Sequence, residues 1–187
     1  KSIATGEALN LNAGVTFNTL TTGTLSCTID GPGTINFNGD ITTSTAFGVG
    51  LVKSGDGILN LGGTGAGNFN QAGAVVDVDR GTLRLGVANA IPSGPGRGNV
   101  TLTPEAFWGD TAILDLNGFN LTVNGLTATS DGIAIIDNSG AASVTLTIGA
   151  NDQAVTVGGL GSYTITDTGA GSLSLLKTGA GSATVGA

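Results

Sequence analysis

Three glycine-anchored segments recur at a single interval in this chain: GTINF at 33–37, GILNL at 57–61 and GTLRL at 81–85, each beginning 24 residues after the one before. Within each, apolar and polar side chains alternate. Ile35, Leu59 and Leu83 therefore project to one side with Phe37, Leu61 and Leu85, while Asn36, Asn60 and Arg84 project to the other. A chain of hairpins gives no reason for one inward and outward pattern to return at one interval, whereas a stack of parallel strands requires it. The period thus predicts coils of about 24 residues climbing on one another. Two interior files follow: Leu9, Ile35, Leu59, Leu83, Leu114 and, beside it, Leu11, Phe37, Leu61, Leu85, Leu116. The matching exterior file is Asn10, Asn36, Asn60, Arg84, Asp115, in which Asn36 over Asn60 predicts an amide ladder and Arg84 with Asp115 an exposed ion pair.

Beyond Leu116 the register is continued by Leu146, Thr147 and Ile148, so the second half carries longer insertions. The segments 91–99 (IPSGPGRGN) and 104–110 (PEAFWGD) hold three of the four prolines and the only Trp, and are expected to stand off the stack as loops. Helix signals are nearly absent. Strands are expected at 8–11, 15–20, 34–37, 58–61, 75–78, 82–85, 100–103, 113–116, 121–123, 144–148, 154–157, 163–166 and 172–176, giving an all-β β-solenoid.

Composition agrees with a thin-cored coil. The chain has 34 Gly in 187 residues, 4% aromatic and 10% charged residues, with 40% hydrophobic residues dispersed in short pieces. That is enough apolar surface to fold and no transmembrane helix. A net charge of −7 with no basic cluster argues against a nucleic-acid partner and a polybasic membrane contact. The single Cys27 has no partner for an internal disulfide and is expected to be buried as a small hydrophobe. No initiator Met or signal segment is present, so Lys1 reads as a mature or excised start.

The phrases LVKSGDGILNLGG (51–63), VDRGTLRLG (78–86), ILDLNGFNLTVNGL (113–126) and LLKTGAGSATVGA (175–187) resemble the passenger-associated, autotransporter-type β-strand repeat. The shared order is a Lys-Ser/Thr-Gly-x-Gly opening, a Gly-Thr-Leu strand and a Leu-Asp-Leu-Asn-Gly-Phe segment. The resemblance covers 51–126, is loose over 1–50, and opens again at 175–187 after further coils at 127–174, all within one domain. It implies a right-handed parallel β-helix, displayed at a bacterial surface or released outside the cell as stalk, adhesin or filament, with no catalytic residue. The repeat that begins at 175–187 suggests that the ends stay open, with Leu9, Leu11, Leu175, Leu176, Ala183 and Val185 as the assembly residues.

Chemistry is sparse. With no His and a lone Cys, triads and His-ligated metals are excluded. Asp77 and Asp79 in VVDVDRG share a strand face beside Arg80, as a polysaccharide-cleaving carboxylate pair would, but a solvated strand is the preferred reading. No calcium repeat or EF-hand is present and no metal or cofactor is assigned. Gly55 to Gly57 and Gly169 to Gly171 read as turns, not phosphate loops. Thr-x-Thr pairs at Thr101/Thr103, Thr127/Thr129, Thr145/Thr147 and Thr164/Thr166 are too unevenly spaced for one ordered wall. Phe107 and Trp108 are the best candidate contacts for a sugar or a protein, though folding back over a coil edge is preferred. The expectation is a non-catalytic extracellular module that associates with itself or with neighbouring repeats of a longer passenger. The alternative is an adhesin binding surface glycans through 91–110.

Overall fold

The computed structural model describes residues 3–17, 25–43, 49–63, 75–128, 131–152, 154–157 and 162–186, without the side chains at 17, 25–29, 43 and 49. The strands succeed one another coil by coil. They run β1 (Ala8–Leu11), β2 (Val15–Phe17) and β3 (Leu25–Ile29); then β4 (Thr34–Phe37), β5 (Ile41–Thr43) and β6 (Val49–Lys53); then β7 (Ile58–Leu61) and β8 (Val75–Val78). The fourth coil carries β9 (Gly81–Leu85) and β10 (Asn99–Leu102), and the fifth β11 (Thr111–Asp115), β12 (Leu121–Thr122) and β13 (Leu126–Ala128). Last come β14 (Ile133–Asp137), β15 (Val144–Ile148) and β16 (Val155–Val157), then β17 (Ser162–Thr166), β18 (Leu173–Lys177) and β19 (Ala183–Val185). No α-helix occurs among the described residues; the helical pieces are short 3₁₀ turns.

Paired strands are parallel throughout, so the molecule is a parallel β-solenoid. One face is the seven-stranded sheet β1-β4-β7-β9-β11-β14-β17 and another the seven-stranded sheet β3-β6-β8-β10-β13-β16-β19. We term these the first and third faces. Between them lie the smaller sheets β2-β5 and β12-β15-β18. Down the first face the register runs Leu9, Ile35, Leu59, Leu83, Leu114, Ile136, Ile165, a mean interval of 26 residues. Leu59, Leu83 and Leu114 are fully buried in it, each contributing roughly 1.5–3 kcal/mol.

Two physical devices let coils approach this closely. At the corner into the first face, a Cβ on Gly57 would strike the Gly33 carbonyl, and one on Gly81 would lie 2.5 Å from the Gly57 carbonyl. Outside, like residues bond like: Asn36 Nδ2 donates to Asn10 Oδ1 at 2.6 Å, and Asn60 Nδ2 donates to Asn36 Oδ1. The ladder stops there. Asn60 Oδ1 is buried with no partner among the described residues, because its neighbour one coil on, Arg84, is turned to Asp115.

Four expectations are corrected. Leu146 does not follow Leu114; it pairs with Leu121 in the middle sheet, and the true successor is Ile136 in β14. That strand carries apolar Ile133 and Ile135 on its outer side as well, so it shows no alternation to detect. The segment 91–99 is no free loop: Ile91 and Pro92 are buried, and Asn124 Nδ2 donates to Gly94 O at 2.5 Å. The Arg84–Asp115 pair, at 2.7 Å, is not an exposed one, since Asp115 is only 2% exposed. Burial alone would raise that carboxyl's pKa, but hydrogen bonds from the Ser139 hydroxyl and N–H, Arg84 and the Asn117 N–H hold it below its ordinary value. Finally, 175–185 is not the spatial equivalent of 51–61. β6 lies on the third face and leads into the first, whereas β18 lies in the middle sheet and leads into the third.

Candidate functional site

The Lys-Ser/Thr-Gly-x-Gly phrase builds a corner that can be traced atom by atom. Lys53 ends β6 on the inner side, where its stem is buried, and Nζ donates to the carbonyls of Ser54 and Gly55 at 2.7 Å and of Arg80, one coil on, at 3.2 Å. Gly55 takes φ 77°, a left-handed conformation that a side chain would oppose. Desolvation lowers the Lys53 pKa to about 8, against the raising influence of Asp30 and Asp56. Lys177 repeats the corner, donating to Thr178 O at 2.5 Å and Gly179 O at 2.9 Å, with Gly179 at φ 67°.

Above the first of these corners sits a charged clamp. Arg80 grips Asp56 through Nε to Oδ1 at 2.5 Å and Nη2 to Oδ2 at 2.7 Å, and its Nη1 lies 3.4 Å from Asp110 Oδ1. The Arg80 hydrogen bonds hold the exposed Asp56 carboxyl below its ordinary pKa. Asp110 closes the protruding turn at 104–110, whose 3₁₀ segment Ala106–Trp108 ends at Gly109 with φ 68°. That turn is fastened to the following coil: Ala106 N–H donates to Asp131 Oδ1 at 3.2 Å, and Gly132 N–H to Pro104 O at 3.0 Å. Phe107 and Trp108 do not fold back. They are 86% and 69% exposed, edge to face with centroids 5.0 Å apart.

Two grooves flank the turn. The larger, about 390 Å³, is lined by Trp108 to Thr111, Ile113, Thr82, Gly81 and the Arg80–Asp56 clamp. The second, about 280 Å³, lies on the other side, against Ala106, Asp131, Gly132, Ile133 and Ser162, and shares Gly109 and Asp110 with the first. Trp108 had been visible in the sequence; Asp56 and Asp110 had not. One signal existed for Asp56, which lies 24 residues before Arg80, one repeat below it.

Asp77 and Asp79 line neither groove. Both accept from the Thr103 hydroxyl, at 2.7 and 3.0 Å. Desolvation raises the Asp77 pKa, with the Thr103 bond opposing and the neighbouring Asp79 charge adding to the rise. Next to them Thr101, Thr127, Thr156 and Thr184 form one file on the third face, a regularity hidden in the sequence by unequal coils. The Thr145 and Thr164 pairs lie on other faces. The side chain of Cys27 lies outside the described residues.

At the ends, interior positions are exposed. Leu175 follows the fully buried Leu121 and Leu146 in one file yet is 38% exposed, and Val185 follows Val157, 1% exposed, yet is 50% exposed. Leu9, 40% exposed, is their counterpart at the first coil, where Leu11 is half-buried, while Ala183 is exposed beside Val185. Leu176 pairs with Thr147 and projects outward, not into the interior. Comparison with protein-family models, with curated proteins and with solved structures finds no match to this chain.

Proposed function

We propose that this chain is a non-catalytic, extracellular structural module of the autotransporter-passenger type, whose coils continue end to end. The observation that carries the reading is the exposure of Leu9, Leu175 and Val185, which belong to interior files that are buried at Leu59, Leu83 and Leu114, at Leu121 and Leu146, and at Val157. Strand edges and apolar files left open at an end favour another coil on top of them. Lys177 supports the same reading. In the similar corner on the third face Lys53 reaches a further carbonyl in the coil above, and on the middle face the corresponding acceptor for Lys177 would belong to a coil stacked on β18. That coil is a second copy joined head to tail, or a neighbouring repeat of a longer chain at a bacterial surface. A head-to-tail contact does not close, so a second copy gives a fibre.

Sedimentation velocity across a concentration series tests this. The protein should grow into larger species with concentration, and Val185→Lys together with Leu175→Asp should hold it monomeric with an unchanged circular dichroism spectrum. Monomer at every concentration, or undiminished association by the double variant, overturns self-assembly.

A further inference from the structure

We propose that the two grooves beside the 104–110 turn form one elongated binding site for a neutral linear oligosaccharide, laid along the solenoid axis over the first face. The site is independent of the ends. Its lining comes from successive coils: Asp56 precedes β7, Arg80 precedes β9, which supplies Gly81 and Thr82, Trp108 to Asp110 precede β11, which supplies Thr111 and Ile113, Asp131 and Gly132 precede β14, which opens at Ile133, and Ser162 opens β17. With neighbouring strands about 4.8 Å apart, that is a track of roughly 20 Å, longer than one sugar needs. Gly109 and Asp110, common to both grooves, mark its middle.

The chemistry selects a sugar. Trp108 is held out from the stack on a turn pinned by Asp131 and Gly132, with the Phe107 ring nearly perpendicular to its own. It presents an aromatic surface to the C–H face of a pyranose, on a side chain with only two χ angles to order. Around it are planar polar groups already fixed in place. Arg80 is oriented by its two bonds to Asp56 and still has donor hydrogens left for hydroxyl oxygens, while Asp110 offers acceptors for hydroxyl hydrogens. Apart from Trp108 and Ile113 the larger groove has no apolar side chain, so it is not a lipid or drug-like pocket. The charges point to a neutral ligand: Asp56, Asp110 and Asp131 outnumber Arg80 along the track, and a uronic or sialic acid would meet like charge.

A glycan array carrying neutral, uronic and sialylated oligosaccharides, followed by calorimetry with the tetrasaccharides of cellulose, starch and chitin, tests the assignment. At least one neutral tetrasaccharide should bind, more tightly than its disaccharide, and the intrinsic fluorescence of the sole Trp should change on binding. Trp108→Ala should weaken binding about tenfold, roughly the worth of one aromatic contact, with the circular dichroism spectrum unchanged. Arg80→Gln should weaken it too, while Leu176→Ser on the middle sheet should not. Absence of binding by every neutral oligosaccharide, equal binding by the uronic acids, or full affinity in the folded Trp108→Ala variant overturns the proposal. So does capture of peptides in place of sugars by the same groove.

Discussion

Lys53 shows how a charged residue enters a core of small aliphatics. Its stem continues an interior file, and its ammonium meets three carbonyls that the corner would otherwise leave short of donors. The balance still favours the neutral form more than water does, hence a pKa lowered to about 8. In the unfolded chain the group titrates near 10.4. Between those values the unfolded state binds more protons than the folded one, so stability rises as pH rises from about 8 to about 10. Urea midpoints should therefore climb over that window in the wild type, reporting a gain in unfolding free energy on the order of 2 kcal/mol. Lys53→Met should be less stable overall but flat across the same window. A wild-type midpoint that falls from pH 8 to 10 in parallel with the variant would contradict this account of the corner.

Each strand is too short to stand alone and is held by the strands above and below, so damage spreads along the axis. Leu59 in β7 is fully buried between Ile35 and Leu83. Leu59→Asp would put an unpaired charge into that dry file, at a cost of about 4 kcal/mol or more. Amide exchange should then show protection lost first in β4, β7 and β9, with a lowered melting temperature; unchanged melting would sink the register. This part of the fold was legible because Ile35, Leu59 and Leu83 lie in coils of equal length. Later coils were harder, since their intervals vary and β14 is apolar on both sides, leaving periodicity nothing to detect. Short strands such as β5 and β13, of three residues each, carry too little pattern to be read. The groove was half legible: Trp108 and Arg80 stood out as residue types, but their meeting with Asp110 depends on a 30-residue coil whose length only the structure supplies.

At the scale of the whole stack, the described coils are joined by two seven-stranded parallel sheets and two smaller ones. Interior files run buried through the middle coils and become exposed at Leu9 at one end and at Leu175 and Val185 at the other. The walls carry the polar work: the Asn10–Asn36–Asn60 ladder, the buried Asp115 cluster and the grooves around Trp108. The head-to-tail stacking proposed above would be growth in one dimension. Negative-stain electron microscopy of the purified protein over a concentration series tests that claim most directly. The account predicts unbranched fibres one solenoid wide that lengthen with concentration; short single rods of constant length at every concentration would contradict it.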